Sequence, residues 1–124
     1  MNNKFFVPFE TAKALKEKGY PEYADIFYDA NFYDANGCFV NNFSRSNYDA
    51  PIVLPVISSP TYHEVLDWLE TEKDILVSVD TDEVNSYLCR AYSRYRSGTL
   101  CHSQWTSSRE EALNEVIIKT LEML

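Results

Sequence analysis

The sequence predicts an α+β fold, an antiparallel sheet of three to five strands packed by two or three helices. Three observations carry that prediction. Residues 108–124 place Leu113, Val116, Ile117, Leu121 and Leu124 on one stripe at helical period, and Ser108 with Glu111 three residues on forms a capping-box pattern. Thr61 with Glu64 repeats that pattern ahead of a second stripe, Tyr62, Val65, Leu66 and Leu69, with Trp68 at its flank. Between the two helices lie β-rich runs at 75–79, 87–95 and 100–106, separated by polar turns. Residues 61–124 therefore read as an α-β-β-β-α unit.

The preceding residues read as an N-terminal helix, a Tyr-rich hairpin and a Pro-containing loop that extend or cover this unit, within one domain over residues 1–124. The first helix is expected over 9–18, with Ala12 and Leu15 turned inward and Gly19 placed to end it in a left-handed cap. Next comes a tandem repeat, Phe27-Tyr28-Asp29-Ala30-Asn31 followed by Phe32-Tyr33-Asp34-Ala35-Asn36. A repeat of odd length presents its copies on opposite faces of a continuous strand, so one copy belongs in a turn or across a bulge. Asn36-Gly37 predicts a two-residue type I′ turn within a hairpin over 25–41. Pro51, Pro55 and Pro60 punctuate the loop over 41–60, leaving room for one short edge strand at 52–57.

At 124 residues the chain can bury one core. Its −8 net charge opposes nonspecific contact with nucleic acid or anionic lipid. No apolar run is long enough for a membrane-spanning helix or for the core of a signal peptide. Three cysteines, an odd number, suit a reducing compartment, so a cytoplasmic protein is expected.

Three stretches resemble a known group. They are Thr11-Ala12-Lys13-Ala14-Leu15-Lys16-Glu17-Lys18-Gly19-Tyr20, then Pro60-Thr61-Tyr62 running into Val65-Leu66-Asp67-Trp68-Leu69, and Ser108-Arg109-Glu110-Glu111-Ala112-Leu113 before a Leu-rich helix. Together they are similar to small uncharacterised proteins carried by gut bacterial genomes and their phages. The resemblance spans most of the chain and rests on caps and core positions. It implies an intracellular protein associated with mobile elements and transfers no activity. The helix–three strands–helix order is also that of double-stranded-RNA-binding domains. Glu110 and Glu111 stand where those domains need basic residues, so shared topology does not carry the function across.

No catalytic, cofactor-binding or metal-binding residue is assigned. With three glycines no phosphate-cradling loop can be built, and there is no Gly-x-Ser-x-Gly elbow. Cys101-His102 is the one close ligand pair, and neighbours in a strand point to opposite faces. Cys89 or Cys101 beside His63 or His102 would be needed for thiol catalysis, and no motif surrounds them.

The charge distribution singles out one region. From Val84 to Arg109 there are four arginines and no acid, which leaves −12 for the rest of the chain. A two-residue turn at Ser97-Gly98 would pair Arg94 with Cys101, Tyr92 with Ser103 and Arg90 with Trp105. That register sets Arg90, Tyr92, Arg94 and Trp105 on one face, the candidate interaction face. Arginines among aromatics suit a protein partner, a second copy or nucleic acid, and equally an internal pairing with helix carboxylates. The expectation is a non-enzymatic protein-interaction or self-associating module. The alternative is a nucleic-acid-related regulator, touching nucleic acid through this face or imitating it through Glu64, Asp67, Glu70, Glu72 and Asp74 of the second helix.

Overall fold

The computed structural model describes residues 5–21, 32–40, 57–82 and 84–124. Among these residues the order is α1 (Phe9–Glu17), β1 (Phe32–Tyr33), β2 (Phe39–Val40), β3 (Ile57–Ser58), α2 (Tyr62–Lys73), β4 (Ile75–Thr81), β5 (Tyr87–Ser93), β6 (Thr99–His102) and α3 (Arg109–Glu122). The fold is α+β, with two three-stranded antiparallel sheets ordered β2-β1-β3 and β4-β5-β6. The chain divides into two compact units at Pro60/Thr61, one holding Phe6–Pro60 and the other holding Phe5 with Thr61–Leu124. Among the described residues no helix is long and apolar enough to cross a membrane.

In the unit of Phe6–Pro60, α1 ends at a Schellman motif. Tyr20 N–H donates to Leu15 O and Gly19 N–H to Lys16 O, with Gly19 at φ +94°. Leu15 and Tyr20 are both buried, the apolar contact this motif favours. Ala12 is buried as expected, and Thr11 joins it.

The hairpin turn is not type I′. Phe32 pairs with Val40 and Tyr33 with Phe39, so 34–38 form the connection. Gly37 N–H donates to Asp34 O, Asp34 N–H to Cys38 O, and Gly37 alone in this stretch takes positive φ, +83°. This is a three-residue loop closed by a left-handed glycine. Buried Asp34 decides it, because one carboxylate oxygen accepts from the N–H groups of both Asn36 and Cys38. The second repeat copy therefore runs from strand into turn. The first copy, and the expected loop and strand over 41–56, lie outside the described residues. Ile57 and Ser58 do pair with Tyr33 and Phe32, which makes β1 the central strand. Tyr33 packs edge-on against Phe9 and Phe39, and its hydroxyl donates to Val7 O at 2.6 Å.

In the unit of Thr61–Leu124, Thr61 and Glu64 form the full capping box: Glu64 N–H donates to Thr61 Oγ1, and Glu64 Oε1 accepts from Thr61 N–H. The α2 stripe is turned slightly from the expected one, with Trp68 buried and Leu66 half-buried. At α3 the expected box is half formed. Ser108 Oγ accepts from Glu111 N–H, while Ser108 donates to Glu110 rather than being met by Glu111. Leu113, Val116, Ile117 and Leu121 are buried with Ala112 and Thr120, but Leu124 lies past the helix end and is 42% exposed. Each fully buried aliphatic side chain contributes about 1.5–3 kcal/mol, so this stripe secures α3 to the sheet.

Candidate interaction surface

β4 and β5 pair from Ile75↔Ser93 to Thr81↔Tyr87, which puts Ile75, Val77, Val79, Cys89 and Ala91 on one face. β6 joins with Ala91↔Cys101, and Cys101 Sγ lies 3.4 Å from Thr120 Oγ1 of α3. That face is the helix side. Leu76, Ser78, Asp80, Leu88, Arg90, Tyr92 and His102 occupy the other.

The expected β5–β6 register is wrong. Arg90 pairs with His102 and Tyr92 with Thr99, with a bulge at Ala91/Tyr92, instead of Arg90 with Trp105 and Tyr92 with Ser103. A shift of three residues turns β6 over. The expected register would have put Cys101 on the arginine face, whereas the observed one buries it against α3. The turn is correspondingly longer, spanning 94–98, while the Arg94 N–H continues the β4–β5 ladder by donating to Asp74 O at 2.8 Å. Ser103 completes the departure: it is wholly buried, its Oγ accepts from Cys89 N–H, and it donates to Gln104 O.

Of the four candidate residues, Arg90 and Tyr92 share the outer face of β5. Arg90 Nε lies 3.5 Å from Asp80 Oδ2, and the Tyr92 hydroxyl is 2.6 Å from Ser78 Oγ. Arg94 reaches Glu70 at 3.3 Å and Asp74 at 3.6 Å. Trp105 lies beyond β6, 49% exposed, and is not brought opposite Arg90. Two of the arginines thus already face carboxylates, from α2 and β4. Partly exposed pairs of this kind contribute about 0.2–1 kcal/mol each. Sequence reasoning passed over Tyr95, which is 79% exposed beside exposed Arg96 at the turn. The signal was present in Arg94-Tyr95-Arg96-Ser97-Gly98, where a turn holds two cations around one aromatic.

The N-termini of α2 and α3 meet at a cleft of about 250 Å³ lined by Tyr62, His63, Leu66, Arg109, Glu110 and Leu113. Glu64 and Glu110 already meet the positive ends of these helices, at the Thr61 N–H and at the Ser108 hydroxyl. His63 lies 3.5 Å from Asp67. His102 Nδ1 sits 2.8 Å from Ser103 O, on the opposite side of the sheet from Cys101.

Burial raises the Cys89 thiol to about 11, opposed by the charge of Arg109 and assisted by that of Asp80, so Cys89 is no nucleophile at neutral pH. Among the described residues no three His, Cys, Asp or Glu side chains gather to hold a metal. No family model, curated protein or solved structure matches the chain.

Proposed function

We propose that this chain is a small non-enzymatic interaction module of mobile-element origin, working in the cytoplasm and binding a protein partner or another copy of itself. The observation that carries the reading is the exposure of two large aromatics, Tyr95 (79%) in the β5–β6 turn and Trp105 (49%) near the other end of β5, where Thr106 bridges Tyr87, within a stretch that has four arginines and no acid. Large exposed aromatics beside arginine are the residue types that dominate protein interfaces. All three cysteines are free, and Cys38 is exposed, which suits a reducing compartment. Nucleic-acid contact has less behind it, because Arg90 and Arg94 are directed at Asp80, Glu70 and Asp74.

The test compares the parent protein with Tyr95→Ser/Trp105→Ser by light scattering and by quantitative enrichment from host-cell extract. Both positions are exposed, so the circular dichroism should be unchanged. A partner or oligomer held by the parent and released by the double variant is the expected result. Equal retention by both proteins would refute a binding role for these aromatics.

A further inference from the structure

Among the described residues the end strand β4 has an open edge, and its pattern of free groups is self-complementary. Arg94 N–H donates to Asp74 O and Asp82 N–H to Ser86 O, which fixes the even-numbered residues of this segment as those bonded toward β5. The other side of β5 agrees: Tyr87 exchanges hydrogen bonds with Thr106, and Cys89 O accepts from Ser103 N–H. The N–H and C=O groups of Ile75, Val77, Val79 and Thr81 therefore point out of the sheet. Among the described residues none of these groups has a hydrogen-bond partner.

Edges of this length are ordinarily guarded by Pro, Lys, a bulge or a covering loop. β4 has neither Pro nor Lys and pairs with β5 without a bulge, and its single charge, Asp80, is held by Arg90. Val77 and Val79 face the helix side, yet both remain half-buried. Apolar surface beside the edge is thus left open.

We infer that β4 pairs antiparallel with β4 of a second copy, about a two-fold axis at Ser78, joining two three-stranded sheets into one of six strands. In that register Val77 faces Val79 of the second copy and Ile75 faces its Thr81. Every one of those pairs is a mutually bonded pair, about eight hydrogen bonds in all. On the outer face Leu76 meets Asp80 of the second copy and Ser78 meets Ser78, so no like charges stand opposite. A one-residue slip would oppose free groups to engaged ones, which selects this register over its neighbours. Two chains of −8 repel, so the association tightens as salt rises. This edge is separate from Tyr95 and Trp105, so this inference and the proposed function can fail independently.

Sedimentation equilibrium from low micromolar to millimolar concentration tests it, with amide hydrogen exchange on the same samples. The expected result is a dimer in which Val77 and Val79 gain protection with concentration, while Leu76, Ser78 and Asp80 are protected throughout. Val77→Pro removes an outward N–H at a position where an edge strand tolerates proline. It should weaken the dimer on the order of tenfold or more, since symmetry removes two ladder bonds. Ser78→Lys brings two ammonium groups together at the axis and should weaken it in a way that salt restores. A monomer at every concentration with rapidly exchanging Val77 and Val79 overturns the inference. So does a dimer whose mass survives both substitutions.

Discussion

Arg94 holds Asp74 twice: its backbone N–H donates to the Asp74 carbonyl at 2.8 Å, and its Nε lies 3.6 Å from the Asp74 carboxylate. Asp74 caps α2 in the left-handed region at φ 56°, so this contact ties the α2–β4 corner to the end of β5. Asp and Asn tolerate that conformation better than Ala. Asp74→Asn should lose only the ion pair, about 0.2–1 kcal/mol. Asp74→Ala should lose about 1 kcal/mol more, read as the difference between the two variants in urea unfolding.

Gly37 combines φ +83° with a crowded neighbourhood, since an added Cβ would sit 3.1 Å from the Phe9 ring. Gly37→Ala should destabilise the unit of Phe6–Pro60 by about 1–3 kcal/mol. Fluorescence of the tyrosines in that unit would not isolate the effect. Exchange of the Asp34 and Gly37 amides would, and both should lose protection.

Ser103→Ala removes the acceptor that satisfies the Cys89 N–H inside the core. A buried donor left without a partner costs about 1–3 kcal/mol. The same change at exposed Ser97 should be silent, which makes Ser97→Ala the control in thermal unfolding.

Thiol titration should rank the cysteines by environment. Exposed Cys38 reacts first, half-buried Cys101 more slowly, and Cys89, with its thiol raised to about 11, only on unfolding. Linkage sets the sign of the pH effect. The folded state holds the Cys89 proton more tightly than the unfolded chain, whose thiol titrates near 9.0. Its contribution to stability is complete below that pH and declines as pH rises toward 11. Cys89→Ala should flatten the loss of stability over this alkaline window, measured by urea midpoints at a series of pH values.

The helices were legible residue by residue, because a cap and an apolar stripe are local. Thr61 with Glu64 places α2 to within a residue of its observed limits, and the run from Leu113 to Leu121 places α3 to within a residue at its start, with its end two residues earlier than expected. Gly19 marked the end of α1 for the same reason, since its positive φ is a property of one residue. The strands of the Thr61–Leu124 unit existed where predicted, though β6 ends at His102 rather than at residue 106, and their pairing did not follow from the turn residues. Asp34 outweighed Asn36-Gly37 in the first hairpin, through two hydrogen bonds that alternation cannot show.

In the second hairpin the register was settled by contacts distant in sequence. The bulge at Ala91/Tyr92, the Ser103–Cys89 bonds and the burial of Cys101 against Thr120 set a register that leaves Trp105 away from Arg90. Sequence by itself thus determined the α+β class, the α-β-β-β-α order and the acid-free arginine stretch, all carried by local propensity, periodicity and composition. Tertiary structure alone decided the register, the internal partners of Arg90 and Arg94, the exposure of Tyr95 and, among the described residues, the open edge of β4. Each of those depends on which face meets the helices, and a period of two leaves that choice to packing.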